Sequence, residues 1–339
     1  MGGNALSCTS VRLTKKNYER MAAECVAKLK ALYPSALVTA IASYRAKADH
    51  GDLDLLLSAE GYDPFAAAEA LGAVEVVRNG PVTSIGVLVR PEVDARDGNV
   101  FQVDLISIDA PSFDYAQNYF AFNDLGNLVG RTAHSAGLSH KHNGLWYFVR
   151  DGDYKFREIL LTADYRVALK FLGYDPSRFD EGFETLEDVF WYVAGSQFFN
   201  RDIFLLENRN AKSRIRDRKR RTYMEFLKFC EAHPELPAFQ YPDNKAEWLP
   251  RIAEHFPHFQ QEYDRALADL AELRAVKERF NGDWVSKLTG LQGKELGGLM
   301  KRFKESFESP EAQRAYVLTT NPATVEARIR QLQAEMASE

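Results

Sequence analysis

The chain has 339 residues, with 43 Lys and Arg against 48 Asp and Glu, a net charge of −5 and 45% hydrophobic content. This length supports a sizeable core and two or three domains, and the acid excess confines any nucleic-acid contact to a local basic patch. Cys8, Cys25 and Cys230 are odd in number and far apart, which excludes a disulfide framework or zinc site and points to an intracellular, cytoplasmic protein.

No apolar run reaches bilayer-spanning length, and the first residues lack the apolar stretch of a signal peptide. Leu6 stands where a myristoylated start needs Ser or Thr.

Thr14 is placed to cap a helix in which Tyr18, Met21, Ala22, Cys25, Leu29 and Leu32 recur at helical spacing, with Pro34 ending it. Residues 36–43 read as a buried strand, followed by a polar turn and a strand over 52–57. Asp63 and Pro64 have the chemistry of an N-cap and first helical position, and 65–71 continue that helix. Residues 74–77 and 83–89 read as a hairpin across Asn79 and Gly80. After a polar loop over 94–99, residues 100–108 alternate as a further strand. The first 110 residues are thus a small α/β unit.

From about Tyr115 the pattern is largely helical. Residues 158–230 carry aromatic-rich amphipathic stretches such as 186–193, and a second helical region follows the proline-containing connection 234–250. There Phe259, Tyr263, Leu267, Leu270, Leu273, Val276 and Phe280 form the stripe of a long packed helix. The predicted class is α+β: a mixed sheet flanked by helices, then a large all-α region. The expected domains are 1–150, 151–233 (with a basic segment) and 234–339.

Asp52 and Asp54 carry the chemistry. Residues two apart on a strand point the same way, so this pair presents adjacent carboxylates while Leu53 turns into the core. Such a pair repels unless a cation lies between, and an oxygen-liganded divalent metal, Mg²⁺ above all, suits it. Two-metal phosphoryl transfer calls for a third carboxylate on a neighbouring strand. Asp104, an acid inside an otherwise apolar strand, is costly to bury unpaired and is the candidate.

Ser43, Tyr44 and Arg45, followed by Gly51, Asp52, Leu53, Asp54 and Leu55, resemble the active-site signature of the DNA polymerase beta-like (family X) nucleotidyltransferases. Residues 80–87 resemble that family's strand hairpin, Val103, Asp104 and Leu105 the strand of its third carboxylate, and Tyr119 and Phe120 its nucleotide-sugar gate. The resemblance covers roughly residues 10–150 and implies a palm with a nucleotide-binding subdomain, two Mg²⁺ ions (or Mn²⁺), and an NTP or dNTP as donor. It implies that Asp52 and Asp54 bridge both metals and Asp104 completes one. Ser43 and the backbone at Gly51 would hold the triphosphate, and Arg45 would assist there or pack structurally. Tyr119 and Phe120 would lie near the sugar, and Asp124, Asn127 and Arg131 near the base or adjoining nucleic acid.

The chain also departs from the family. Ala42 replaces a glycine in the phosphate loop, which is one residue shorter, and Ala46 replaces one arginine of a pair. Phe122 and Asn123 replace the Gly-Ser after the sugar gate, and Gln102 stands where an arginine is frequent.

Lys212, Arg214, Arg216, Arg218, Lys219, Arg220 and Arg221 concentrate positive charge in a helical or helix-leading segment, a candidate nucleic-acid contact. Phe198, Phe199, Phe204 and Tyr223 stand nearby as stacking candidates, with core packing the commoner use of each. Residues 288–303 more faintly resemble a helical segment of tRNA nucleotidyltransferases and poly(A) polymerases. There Gly290 and Gly293 lead into a helix presenting Lys294, Lys301 and Arg302. His140 and His142 flank Lys141 in an expected polar turn and form no metal site.

The expected activity is transfer of a nucleoside monophosphate to a hydroxyl, a nucleic-acid 3′ end first, with pyrophosphate released. The aromatic gate favours DNA, and the faint C-terminal resemblance favours RNA such as a tRNA end. Transfer to a protein or small molecule, and a non-catalytic nucleic-acid-binding module on the same fold, are the alternatives.

Overall fold

A computed structural model describes residues 5–8, 10–89 and 100–338, and the polar loop expected over 94–99 lies outside the described residues. The fold is α+β, a mixed sheet with helices followed by a mostly helical region. Two compact units are present: residues 1–147 with 160–257, and residues 148–159 with 258–339.

The first unit begins with β1 (Leu13–Thr14) and α1 (Lys15–Leu32), capped in extended conformation by Thr14 and stopped before Pro34. Next come β2 (Leu37–Ala40), β3 (Asp49–His50), β4 (Asp52–Ser58), α2 (Pro64–Leu71), β5 (Ala73–Asn79), β6 (Val82–Leu88) and β7 (Val100–Ser107). Asp63 caps α2 by accepting from the Phe65 amide, and Gly72 closes it in left-handed conformation. Five strands form one sheet in the order β2-β4-β7-β6-β5, with β4 and β7 parallel and the other neighbours antiparallel. Parallel pairing needs a crossover, and α2 with the β5–β6 hairpin supplies it.

The strand expected over 36–43 is shorter and only partly buried. As an edge strand, β2 leaves Leu37 exposed, and its neighbouring residues peel off as a loop toward the acids.

Leu53, Leu55 and Leu57 on β4 and Val103 and Leu105 on β7 are fully buried on one sheet face, packed with Cys25 and Leu29 of α1 and Ala67 and Leu71 of α2. The opposite face carries Leu56 and Ile106, which pack under Phe113 and Ala116 of α3 (Phe113–Phe120). The strand period of two therefore puts Asp52, Asp54 and Asp104 on this second face, beyond its apolar floor.

Next follow α4 (Leu125–Ser135), β8 (Leu138–Lys141), β9 (Gly144–Asp151) and β10 (Tyr154–Thr162), the last three forming a sheet in the order β10-β9-β8. This sheet corrects the expectation of largely helical structure from Tyr115. Trp146, Tyr147 and Phe148 run consecutively along β9 in extended backbone, and Gly152, with φ 57°, and Asp153 make the hairpin turn into β10. The remainder of the first unit contains α5 (Tyr165–Phe171), α6 (Pro176–Asp180), α7 (Leu186–Ala194), α8 (Ala211–Arg218), α9 (Arg221–Ala232) and α10 (Leu249–His255). A reciprocal capping box between Thr185 and Asp188 starts α7. Phe198, Phe199, Phe204 and Tyr223 are buried in a core of packed rings, so packing is their role.

The second unit contains α11 (Phe259–Arg279), α12 (Gly282–Thr289), α13 (Gly293–Glu305), α14 (Pro310–Thr319) and α15 (Pro322–Ala337) around Val285, Leu299, Phe303 and Ile329. Phe259, Leu270, Val276 and Phe280 of the expected stripe are buried, but Leu267 is exposed and Ala266 takes the inward position. Gly290 and Gly293 both have positive φ at the turn between α12 and α13. Arg157 and Arg274 bind Asp269 and Asp151 within this unit. No helix among the described residues is long and apolar enough to cross a membrane.

Candidate active site

Asp52 and Asp54 flank the fully buried Leu53 on β4, and the parallel register sets Asp54 directly beside Asp104 on β7. One carboxylate oxygen from each acid lies within 4.8 Å of the others, and all three residues are half-buried. Gln102 donates from Nε2 to both oxygens of Asp104, at 2.9 and 3.1 Å. The Ser84 hydroxyl, opposite Asp104 on β6, also bonds that carboxylate.

Burial, reinforced by the charges of Asp52 and Asp104, pushes the Asp54 carboxyl up to about 7, with Lys47 pulling the other way. Burial likewise raises Asp104, against the hydrogen bond from Ser84. Three hard oxygen donors, with the proton affinities of Asp54 and Asp104 raised, fit a divalent cation. The cluster is able to hold metal.

Supporting side chains fix the surroundings. Tyr18 of α1 stacks on His50 at 3.7 Å between ring centroids, and burial drives His50 down to about 4, leaving its ring neutral. The loop between β2 and β3 is held from both sides. Lys15 donates to the Arg45 carbonyl at 2.7 Å, while Arg45 itself donates to the Glu184 carboxylate at 2.8 Å and the Glu181 carbonyl at 2.9 Å. The amides of Arg45 and Ala46 donate to the carbonyls of Phe183 and Glu184. Arg45 is thus engaged with the segment before α7, next to the half-buried Ser43.

A cleft of about 450 Å³ opens beside Asp52 and Gly51, lined also by Arg12, Lys47, Asn123 and Arg221. Nothing in its sequence neighbourhood singles out Lys47. Its signal is its place in the short polar turn leading to the acids. Ser84 becomes visible only through the β6–β7 register.

The turn after α3 keeps a left-handed backbone without glycine: Phe122 has φ 57° and Asn123 φ 62°. The Phe122 amide donates to the Ala42 carbonyl at 2.7 Å, and its ring is wedged edge-on between Phe179 and Phe183. This packing holds a conformation that costs a β-carbon-bearing residue energy.

Tyr119 and Phe120 end α3, with Tyr119 edge-on to Phe120 and to His140. Asp124 precedes α4 and pairs with Arg220, and Asn127 accepts from Arg216 at 3.3 Å. Arg131 is buried and donates twice to the Ile203 carbonyl, at 3.0 and 2.6 Å. Tyr119, Asn127 and Arg131 line a pocket with Arg216, whereas the triad's Asp52 lines the cleft with Arg221.

His140 is no polar-turn residue. It lies on β8, buried beside Tyr115 and Tyr119, and burial lowers it to about 4. Within the basic segment, Lys212, Arg218 and Lys219 are exposed. Arg214 donates to the Arg209 carbonyl, Arg216 pairs with the fully buried Asp217, and Arg221 pairs with Glu225. On the second unit, Lys294 and Lys301 are exposed on α13 and Arg302 is half-buried. Comparison with protein-family models finds no match to this chain, and comparison with curated proteins finds none either.

Proposed function

We propose that the chain is a Mg²⁺-dependent nucleotidyltransferase of the polymerase-beta-like kind, moving a nucleoside monophosphate from an NTP or dNTP to a hydroxyl on a nucleic acid. The observation that carries this reading is the register of Asp54 with Asp104 beside Asp52, three carboxylates within mutual ligand reach, of which Asp52 lines a cleft of about 450 Å³. Divalent cations bound there supply charge neutralisation and activation of the attacking hydroxyl.

Asp52, Asp54 and Asp104 hold those cations, and Gln102 and Ser84 fix the orientation of Asp104. Ser43 and the backbone at Gly51 take the phosphate oxygens, with Lys47 and Arg221 as the nearby cations. The acceptor oxygen bonds to the α-phosphorus as its proton passes to water. The bond to the β-phosphate breaks, and pyrophosphate leaves. The exposed Lys212, Arg218 and Lys219 contact the acceptor's backbone.

One observation favours a second reading. The cleft lining sets Arg12, Lys47 and Arg221 against Asp49, Asp52 and Glu225, a formally neutral surface. Such a surface suits a protein or small-molecule hydroxyl better than a polyanion.

Offering each labelled NTP and dNTP with tRNA, single-stranded RNA or primed DNA, with and without Mg²⁺, tests the proposal. Mg²⁺-dependent label on a nucleic acid, lost in Asp54→Ala, is the expected result. Incorporation indifferent to that substitution would overturn the mechanism, and label on a protein would select the second reading.

A further inference from the structure

The first unit contains a second polar pocket, of about 250 Å³, between α4 and the start of α8. A cavity needs only about 10–15 Å³ of such space to hold one water, so this pocket has room for a larger polar group. Arg131, Arg209 and Arg216 line it, and its lining contains no carboxylate among the described residues.

Arg209 is the informative side chain. It is only 7% exposed, and one nitrogen binds the fully buried Asp217 at 2.7 Å. Its Nε and Nη1 are buried with no hydrogen-bond partner in the protein, and so is the Nδ2 of Asn127 on the same lining. Unmet guanidinium donors away from bulk water are costly. Asp217 neutralises one charge, leaving an excess of two among the three arginines. Asn208 and Asn210 at the start of α8 also line the pocket, where a helix N-terminus favours negative charge.

We infer that this pocket binds a phosphate group, held by Arg209, Arg216 and Asn127 at the N-terminus of α8. A tetrahedral oxyanion meets several convergent N–H donors at once, and arginine's planar fork matches it. The site is distinct from the carboxylate cluster and needs no metal.

Equilibrium dialysis of the full chain against radiolabelled inorganic phosphate, in EDTA, tests this. Ser213→Asp puts a carboxylate on the lining at the third position of α8, where an acid suits the helix end, so folding is preserved. Arg216→Ala removes a lining cation while Arg209 still pairs with Asp217. The wild type is expected to bind one phosphate per chain. Each variant is expected to weaken that binding roughly tenfold or more, as for loss of one charge-assisted hydrogen bond. Asp54→Asn is expected to leave it unchanged.

Absence of phosphate binding, or affinity unaltered in both pocket variants, would overturn the inference. So would loss of binding in Asp54→Asn, which would place the phosphate at the carboxylate cluster. Competition with a terminally phosphorylated oligonucleotide and its dephosphorylated twin separates the sources. Displacement by the phosphorylated strand alone assigns the group to a nucleic-acid end, and displacement by neither assigns a free anion.

Discussion

Asp54 and Asp104 are register partners on the parallel strands β4 and β7, so two carboxylates that are fifty residues apart in the chain stand side by side. Asp52 joins them from the same face of β4, and burial with mutual repulsion lifts Asp54 to about 7. Without a cation, this cluster works against folding. Asp54→Asn is therefore expected to raise the thermal midpoint in EDTA at pH 8 and to abolish the further rise that Mg²⁺ gives the wild type. Scanning calorimetry with and without Mg²⁺ checks both effects.

His140 provides a pH dependence remote from the acids. Burial depresses its folded-state proton affinity to about 4, below the ordinary 6.5, so the unfolded chain binds the proton more readily between these values. The stability linked to His140 is fully present above about pH 6.5 and falls as pH drops toward 4. His140→Gln should flatten this part of the curve, at about 1.4 kcal/mol per pH unit at most. Urea unfolding of both proteins across that window measures the difference.

The turn at Phe122 and Asn123 stores backbone strain that aromatic packing offsets. Phe122→Ala keeps the left-handed conformation and loses the wedge against Phe179 and Phe183, for an expected loss of about 3 kcal/mol. Asn123→Gly relieves its half of the strain and should gain up to about 1 kcal/mol. Denaturant midpoints read both.

Gly126 admits no side chain, because a β-carbon there would stand 2.1 Å from the Tyr119 carbonyl oxygen. Gly126→Ala must push α4 away from the end of α3. An expected cost above about 3 kcal/mol, with separation of the Tyr119 and His140 rings, follows from overpacking against backbone. Thermal denaturation and tyrosine fluorescence report the two consequences.

Among the basic residues, Lys212, Arg218 and Lys219 are exposed, whereas Arg216 and Arg220 are bonded to Asn127 and Asp124. Reversing Lys212, Arg218 and Lys219 to Glu should change stability by about 0.5 kcal/mol or less per site. If they bind a nucleic-acid backbone, the slope of log affinity against log salt should shrink by about 0.9 for each phosphate no longer neutralised. Fluorescence anisotropy at several salt concentrations gives that slope.

The acids are legible in the sequence because a period of two fixes where strand residues point, and because Asp104 interrupts an apolar strand. Asp63 with Pro64 marks a helix start by capping chemistry, whereas Thr14 stands at the start of α1 without a side-chain capping bond and the Thr185–Asp188 capping box shows only in the structure. Other features depend on distant pairings that local patterns do not carry. Ser84 meets Asp104 through strand register, and Arg45 meets Glu184 across 139 residues. The sheet formed by β8 to β10 escapes a reading by pattern because its aromatic residues sit among helical stretches. His140 escapes with it, since polar neighbours in sequence conceal an inward-facing strand position.

Titration with Mn²⁺, followed by electron paramagnetic resonance of the free ion, tests most directly whether Asp52, Asp54 and Asp104 form a metal centre. The wild type is expected to bind Mn²⁺ in competition with Mg²⁺, and Asp54→Asn and Asp104→Asn each to weaken binding by more than about tenfold. Equal Mn²⁺ affinity in the wild type and both variants would contradict the account.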